Sequence, residues 1–292
     1  MLGGIDLGGT QVRVAVARSD CRIEAGLRTQ THNFKRPEEF VEWCARAFDR
    51  LTHGRRLDGV GIGAPGPCDP TRGMLLNPPN LGFWKENLPL GPMLAARIEA
   101  PVYLENDANL AALGEHRRGA GRGVRNLVYI TWSTGIGSGI IIEGRLYSGS
   151  HGTAGELGHT IVVPDGPLCG CGQHGCLEAV AAGSGIERTT GRPAVEVFQA
   201  AAQGDRQARA QVAGAARTMG VALVNLANLL DPDVIVIGGG LTKSWRLVLP
   251  DLVAPLKESP FVKPYRRPKV VRARLGQRVG LVGAVEWARE NL

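Results

Sequence analysis

The chain has 292 residues, of which 43% are hydrophobic and 21% are charged, a composition typical of a globular protein with one large or two small domains. No apolar run reaches the roughly 18 residues of a membrane helix. Glycines and Asp6 interrupt the first ten residues, where a signal peptide needs an apolar segment. We therefore expect a cytoplasmic protein without a membrane partner. The 41 glycines follow no collagen period, so they indicate tight turns and close backbone approaches to ligands.

The net charge of +7 permits nucleic-acid binding, but the basic residues are mostly scattered. The densest basic cluster contains Lys263, Arg266, Arg267, Lys269, Arg272, Arg274 and Arg278. We expect this basic cluster to be a solvated strand and loop, with an anion-binding face as the alternative. We expect no nucleic-acid partner.

Strands and helices alternate along the first half. Apolar and polar residues alternate at 11–17, as in a strand, and an apolar stripe at helical spacing follows Pro37. The expected elements are strands at 2–7, 11–17, 21–31, 59–64 and 101–104, and helices at 37–51 and 107–118. The order then restarts, with strands at 127–131, 140–142 and 234–237, two helices between 194 and 230, and a last helix at 281–291. The repeat predicts a duplicated α/β fold with a cleft between its two domains, and a boundary near residues 115–125.

A glycine-rich turn follows the first strand of each half. The first glycine turn (residues 6–10) contains Asp6, Gly8, Gly9 and Thr10, and the second glycine turn (residues 133–139) contains Thr134, Gly135 and Gly137. Backbone N–H groups in such turns can hold phosphate oxygens, and a neighbouring carboxylate can hold Mg²⁺. Ordinary hairpin turns use the same residue types. Two turns at equivalent places could clamp a triphosphate.

Polar residues with possible catalytic and binding roles follow the strands. Asp107, in Glu105-Asn106-Asp107, is a candidate general base for a hydroxyl nucleophile, with a helix N-cap as the alternative. Asn80, Asn106, Glu156 and Glu178 offer the donors and acceptors that a polyol demands, although each could be an ordinary surface residue.

The most specific signal combines Glu156-Leu-Gly-His159 with the cysteine knuckle (residues 169–176), which contains Cys169, Cys171 and Cys176. One His and three Cys fill a tetrahedral zinc shell and leave no open position, so the zinc would be structural. His174 is a less favoured substitute for His159, and a loop of free thiols is the alternative.

These motifs together resemble the ROK family of sugar kinases and related repressors, in particular its bacterial glucokinases. The matching segments are Asp6-Leu-Gly-Gly-Thr10, Gly63-Ala-Pro-Gly-Pro67, Asn80-Leu-Gly-Phe-Trp84, Glu105-Asn-Asp-Ala-Asn109, Thr134-Gly-Ile-Gly137, Glu156-Leu-Gly-His159, the cysteine knuckle through Glu178, and residues 238–240. They follow the family order and cover essentially the whole chain.

The resemblance implies a duplicated actin-like (ribonuclease H-like) ATPase fold that closes over ATP and a sugar. By analogy, Asp107 would be the catalytic base, and Asn80, Asn106, Glu156, His159 and Glu178 would hold sugar hydroxyls. The glycine turns would hold the phosphates of MgATP, Gly239 would lie near the nucleoside, and His159 with the three knuckle cysteines would bind zinc. The family places the C-terminal helix on the small domain. We thus expect a small domain at 1–117 with helix 281–292, and a large domain at 118–280.

The expected reaction is ATP-dependent phosphorylation of the glucose 6-hydroxyl. Fructose, mannose, allose or an N-acetylhexosamine such as N-acetylmannosamine is the alternative substrate, and polyphosphate is an alternative donor. A non-catalytic sugar-sensing repressor is less expected, because the family repressors carry a helix-turn-helix before the first glycine turn, which here begins at residue 6. Trp132, Ser133 and Ser138 depart from the family pattern and bear on nucleotide preference. The family suggests a homodimer or homotetramer.

Overall fold

The computed structural model describes residues 1–78, 81, 84, 86–264 and 268–292. The strands are β1 (Leu2–Leu7), β2 (Gln11–Ala17), β3 (Ile23–Gln30), β4 (Gly59–Ala64), β5 (Cys68–Asp69), β6 (Met74–Leu75), β7 (Val102–Asn106), β8 (Leu127–Trp132), β9 (Ile136–Ile142), β10 (Arg145–Leu146), β11 (Val234–Gly238) and β12 (Lys269–Arg272). The α-helices are α1 (Pro37–Thr52), α2 (Leu90–Ile98), α3 (Asp107–Arg118), α4 (Leu177–Ala181), α5 (Gly183–Thr190), α6 (Ala194–Ala202), α7 (Arg206–Leu230), α8 (Trp245–Glu258) and α9 (Val279–Glu290).

The chain forms two compact units. The first unit comprises Met1–Arg122, Leu146–Ala154 and Gln277–Leu292, and the second comprises Gly123–Arg145 and Gly155–Gly276. No sequence pattern pointed to the return of residues 146–154 to the first unit.

The main sheets of the two units share one topology. The strand order is β3-β2-β1-β4-β7 in the first unit and β10-β9-β8-β11-β12 in the second. In each, the first strand pairs antiparallel with the second (β1 with β2, β8 with β9) and parallel with a later strand (β1 with β4, β8 with β11). This repeat confirms the predicted duplicated α/β fold.

The core of the first unit lies on both faces of its sheet. Helix α1 begins at Pro37, and the Glu39 carboxylate accepts hydrogen bonds from the backbone N–H groups of Lys35 (2.8 Å) and Arg36 (3.4 Å). These bonds satisfy N–H groups at a helix start. The apolar stripe of α1 packs against β2, whereas α9 packs against β1, β4 and α3.

The core of the second unit is built around α7, which packs against α4, α6 and α8. Among the described residues, α7 is the one helix long and apolar enough to cross a membrane, with a mean hydropathy of 1.2. Because core helices of globular proteins pass the same test and the buried side chains of α7 belong to this core, the helix alone does not indicate a membrane segment.

Several elements differ from the sequence expectations, including helices α2, α4 and α5, which were not predicted. Strand β9 begins at Ile136 rather than at residue 140, because Gly137 and Gly139 pair with Thr131 and Tyr129 of β8 despite their turn-forming character. Helix α8 was not predicted, since Pro250 and Pro255 lie inside it.

Candidate active site and metal centre

The first glycine turn connects β1 to β2 in the first unit. Thr31, which is buried, donates its hydroxyl to the carbonyl of Gly8 (2.6 Å) and its backbone N–H to the carbonyl of Thr10 (2.9 Å). Gly9 and Thr10 are exposed. The turn is therefore braced on its carbonyl side, and its tip faces solvent.

Asp6 lies at the base of this turn and pairs with Arg13, its partner in the β1–β2 register (Nη1 to Oδ2, 2.8 Å). Burial raises the pKa of the Asp6 carboxyl, against the lowering effect of the Arg13 guanidinium. Arg13 was not predicted as a site residue, although the alternation along β2 puts it on the same face of the sheet as Asp6. The Asp6 carboxylate thus lies beside the turn in an ion pair with Arg13.

Asp107 is the first residue of α3, at the end of β7. The N-cap is Asn106, whose Oδ1 accepts hydrogen bonds from the N–H groups of Ala108 (2.9 Å) and Asn109 (3.2 Å). Its Nδ2 donates to the carbonyl of Gly66 (3.3 Å). The capping alternative for Asp107 is thus filled by its neighbour. Asn80 lies outside the described residues.

Glu105 precedes Asn106 and Asp107 and was not predicted as a site residue. Its buried carboxylate accepts hydrogen bonds from Asn106 N (2.8 Å), Asn109 Nδ2 (3.0 Å) and Ser148 Oγ (3.1 Å). Burial raises the pKa of Glu105, and these three bonds oppose the shift. The carboxylate ties the β7–α3 junction to residues 146–154, and its place beside Asn106 in the motif was the one available signal.

The second glycine turn is shorter in the structure than in the sequence prediction, because residues 133–135 alone connect β8 to β9. Thr134 is exposed, and the carbonyl of Gly135 accepts a hydrogen bond from Ser133 N (3.0 Å). Gly239 follows β11 with a φ of 90°, and a Cβ there would lie 2.3 Å from the carbonyl oxygen of Trp132. The structure therefore brings Gly239 to the second glycine turn.

The predicted metal ligands converge in the second unit. The ligand atoms of His159, Cys169, Cys171 and Cys176 all lie within 4.8 Å of one another. The separations are 3.7 Å from Cys169 Sγ to His159 Nδ1 and 3.7 Å from Cys171 Sγ to Cys176 Sγ. Sulfurs 2.3 Å from a tetrahedral zinc would be about 3.8 Å apart, so this donor set fits zinc.

The pKa values of two thiols in this group differ in opposite directions. Hydrogen bonding from the Gln173 backbone lowers the pKa of Cys171 to about 7, whereas burial raises the pKa of Cys176 to about 12. A bound cation would stabilise both thiolates. The side chain of His174 is exposed, and its Nδ1 lies 3.0 Å from the carbonyl of Gly166, so the cluster consists of His159 and the cysteines.

The remaining predicted sugar residues flank this cluster. Glu156 is exposed and precedes the short 3-10 helix Leu157–His159. Glu178 lies in the first turn of α4, two residues after Cys176, and its Oε2 accepts a hydrogen bond from the N–H of Ile136 (2.9 Å). Glu178 therefore connects the knuckle to the second glycine turn.

The basic cluster of the sequence analysis lies partly on β12, an edge strand of the second sheet, where Lys269 and Arg272 are exposed. Arg266 and Arg267 lie outside the described residues. An edge strand that carries basic side chains resists pairing with other strands, which is an ordinary structural use of such residues.

Known proteins resemble this chain in sequence and in structure. The sequence matches the ROK family over residues 2–291. The chain belongs to the ROK family. A glucokinase from Streptomyces coelicolor is 36% identical over 320 residues, covering 98% of this chain and 97% of that protein. An N-acetylmannosamine kinase from Haemophilus influenzae is 33% identical over 297 residues, covering 99% and 95%.

Solved structures agree with the sequence relatives. A ROK hexokinase from Thermus thermophilus has a TM-score of 0.87 and 38% identity, covering 99% of this chain and 98% of that one. A ROK family glucokinase from Streptomyces griseus in complex with glucose and AMPPNP has a TM-score of 0.81 and 35% identity, covering 99% of both chains. The actin-like fold class is confirmed, and these similarities support a sugar kinase.

Proposed function

We propose that the protein is an ATP-dependent glucokinase, which transfers the γ-phosphoryl group of ATP to the 6-hydroxyl of glucose. The observation that carries this proposal is the position of Asp107 at the start of α3, where Asn106 already caps the helix. A positioned carboxylate that accepts the proton of the hydroxyl accelerates phosphoryl transfer to it. The glucokinases among the relatives support the choice of glucose.

Five residues would hold the sugar hydroxyls, and they are Asn80, Asn106, Glu156, His159 and Glu178. The Oδ1 of Asn106 accepts the hydrogen bonds of the helix cap, and one hydrogen of its Nδ2 is donated to the carbonyl of Gly66. The second hydrogen of Nδ2 would therefore be the donor for a sugar hydroxyl. Glu156 and Glu178 supply the carboxylate acceptors that sugar hydroxyls prefer.

The nucleotide site would consist of the two glycine turns and Gly239. Gly9, Thr10 and Thr134 are exposed residues, which suits the approach of phosphate oxygens to these turns. Asp6 would hold Mg²⁺ with the nucleotide, and the ion would neutralise charge on the transferring phosphoryl group. Gly135 and Gly137 place no side chain in the second glycine turn, and Gly8 places none in the first.

Zinc would bind at His159, Cys169, Cys171 and Cys176, and its role would be structural because four protein ligands complete a tetrahedral shell. The knuckle then fixes the start of α4 and the direction of Glu178. Metal analysis of the purified protein tests this role, since a zinc content near zero would contradict it.

The activity test measures ADP release with MgATP across a panel of sugars at matched concentrations. We expect turnover on glucose and a product phosphorylated at the 6-hydroxyl. Asp107→Asn should keep the fold and the affinity for sugar while losing about 10²–10⁴-fold in kcat, the usual contribution of a general base. Asp49→Asn, an exposed change on α1, is the matched control. Retained turnover in Asp107→Asn would refute the assignment.

The second candidate is a kinase for another hexose or for N-acetylmannosamine, favoured by the N-acetylmannosamine kinase relative. Turnover mainly on such a sugar would change the substrate and keep the mechanism, and activity with polyphosphate would change the donor. Sugar binding without any turnover would indicate a non-catalytic sensor. We further propose a cytoplasmic homodimer or homotetramer, which sedimentation would test.

A further inference from the structure

We propose that Glu178 is a positioning residue for the nucleotide, because it holds the second glycine turn in place. The metal cluster, which consists of His159, Cys169, Cys171 and Cys176, would anchor Glu178 there. The inference rests on the proposed function and extends it. Glu178 would then serve two substrates, with one oxygen on the turn and the other available to the sugar.

The direct contact is between the Glu178 carboxylate and the backbone of the turn. Oε2 accepts a hydrogen bond from the N–H of Ile136 at 2.9 Å. A Cβ on Gly135 would lie 2.6 Å from the same oxygen, so the glycine permits this approach. A charged acceptor on a backbone N–H forms a stronger bond than a neutral one.

The opposite side of the turn is held by the helix that follows α4. The N–H groups of Gly183 and Ser184, at the start of α5, donate to the carbonyls of Ser133 (2.8 Å) and Thr134 (3.0 Å). The indole Nε1 of Trp132 donates to the carbonyl of Ala181 (2.8 Å). Residues 178–184 thus clamp the turn through both its N–H and its carbonyl groups.

The metal cluster controls where this clamp begins. Cys176 is the residue before α4 and is completely buried, and its Sγ lies 3.7 Å from that of Cys171. Only Leu177 separates it from Glu178. If the metal is lost, α4 loses its fixed start, and the Ile136 contact loosens with it.

The consequence is that metal loss weakens nucleotide binding as well as sugar binding. A purely structural knuckle would affect both substrates only through global stability. A purely sugar-binding Glu178 would leave nucleotide affinity unchanged. Measuring nucleotide affinity and sugar affinity separately therefore distinguishes these cases.

The experiment measures the Kd of a nonhydrolysable ATP analogue with Mg²⁺ by calorimetry, without sugar, on the zinc-containing protein. Glu178→Ala removes the acceptor, and we expect Kd to rise about tenfold, the size expected for one charge-assisted bond. Glu178→Gln keeps an oxygen that can accept from Ile136, so its nucleotide Kd should return towards wild type. The KM for sugar should rise in both variants.

Two controls isolate the contact. Glu187→Ala removes an exposed glutamate from α5 and should leave nucleotide Kd unchanged, as should Glu156→Ala on the sugar side. Cys171→Ser should lower zinc content and raise nucleotide Kd. In the double variant with Glu178→Ala the two effects should not add, because both act through one contact.

An unchanged nucleotide Kd in Glu178→Ala would overturn the inference, as would additive effects in the double variant or equal losses in the Ala and Gln variants. Thermal unfolding of each variant identifies those that merely fail to fold. Because the binding measurement needs no sugar turnover, a protein that binds nucleotide but phosphorylates no sugar would refute the proposed function and still test this contact.

Discussion

Helices α3 and α9 approach each other so closely that a single methyl group should separate them. A Cβ added at Gly283 of α9 would lie 1.8 Å from the carbonyl oxygen of Leu110 in α3 and 2.4 Å from its carbonyl carbon. Both atoms belong to backbone, so no side chain can rotate away. We predict that Gly283→Ala destabilises the first unit.

The magnitude follows from the overlap. Ordinary van der Waals contact is about 3.4 Å, so the helices must move apart by about 1.5 Å, and overpacking of this kind costs about 1–3 kcal/mol or more. Alanine recovers about 1 kcal/mol over glycine in a helix. Because the clash is with backbone, we take the upper end of that cost, about 3 kcal/mol. The net loss is then about 2 kcal/mol, or a fall in Tm of about 4–8 °C if each kcal/mol shifts Tm by about 2–4 °C.

The matched control is Gly214→Ala in α7. Gly214 is also inside a helix, but a Cβ there would meet nothing within 4 Å. It should therefore raise stability by about 0.5–1 kcal/mol through helix propensity alone. Thermal unfolding followed by circular dichroism measures both variants. Equal Tm shifts in the two variants would refute the close-approach argument. Because α3 carries Asp107, Gly283→Ala should also lower kcat.

Three further predictions concern buried charge and metal. The raised pKa of Glu105 means that the folded state holds the Glu105 proton more tightly than the unfolded state does, so stability falls as pH rises from about 4.3 through the folded pKa. Glu105→Gln should flatten the dependence of Tm on pH across that range, and an unaltered profile would contradict the assignment. Arg118→Ala removes a partner of the buried Glu286 carboxylate and should cost about 1–3 kcal/mol in urea unfolding, whereas an exposed-arginine control such as Arg50→Ala should cost little. Cys171→Ser should lose bound zinc, measured by elemental analysis, while Cys68→Ser keeps it; zinc retained in both would exclude the cluster as the site.

Local patterns predicted those parts of the fold that local interactions determine. The alternation at residues 11–17 gave β2, and the apolar stripe after Pro37 gave α1, because each element buries one face of its own sequence. Helix α8 was missed because Pro250 and Pro255 argue against a helix. Tertiary packing stabilises α8 despite these prolines, since α8 lies so close to α7 that a Cβ at Gly220 would be 2.8 Å from Pro255.

The same distinction applies to the site. The metal cluster was predictable because Cys169, Cys171 and Cys176 lie within eight residues, and only His159 is more distant. The bond from Ile136 to Glu178 joins residues that are 42 positions apart in the sequence. It depends on where α4 lies against the sheet, which no spacing encodes.

The knuckle region itself explains why its geometry should depend on metal. Between residues 160 and 176, the buried residues are Cys169, Gly175 and Cys176, whereas the apolar side chains of Ile161, Val163 and Leu168 are exposed. This segment therefore lacks an aliphatic core of its own and can gain little stability from hydrophobic burial.

What stands in place of a core is a buried cluster of Cys169, Cys176 and Ala179. Metal binding contributes directly to folding in such segments, with apparent free energies on the order of 10 kcal/mol for zinc-finger peptides. Because α4 starts directly after Cys176, the free energy of metal binding would also fix Glu178 against Ile136. Changes of the exposed side chains of Ile161, Val163 and Leu168 should then be tolerated as long as the four ligands remain, whereas the loss of one ligand should affect the second glycine turn.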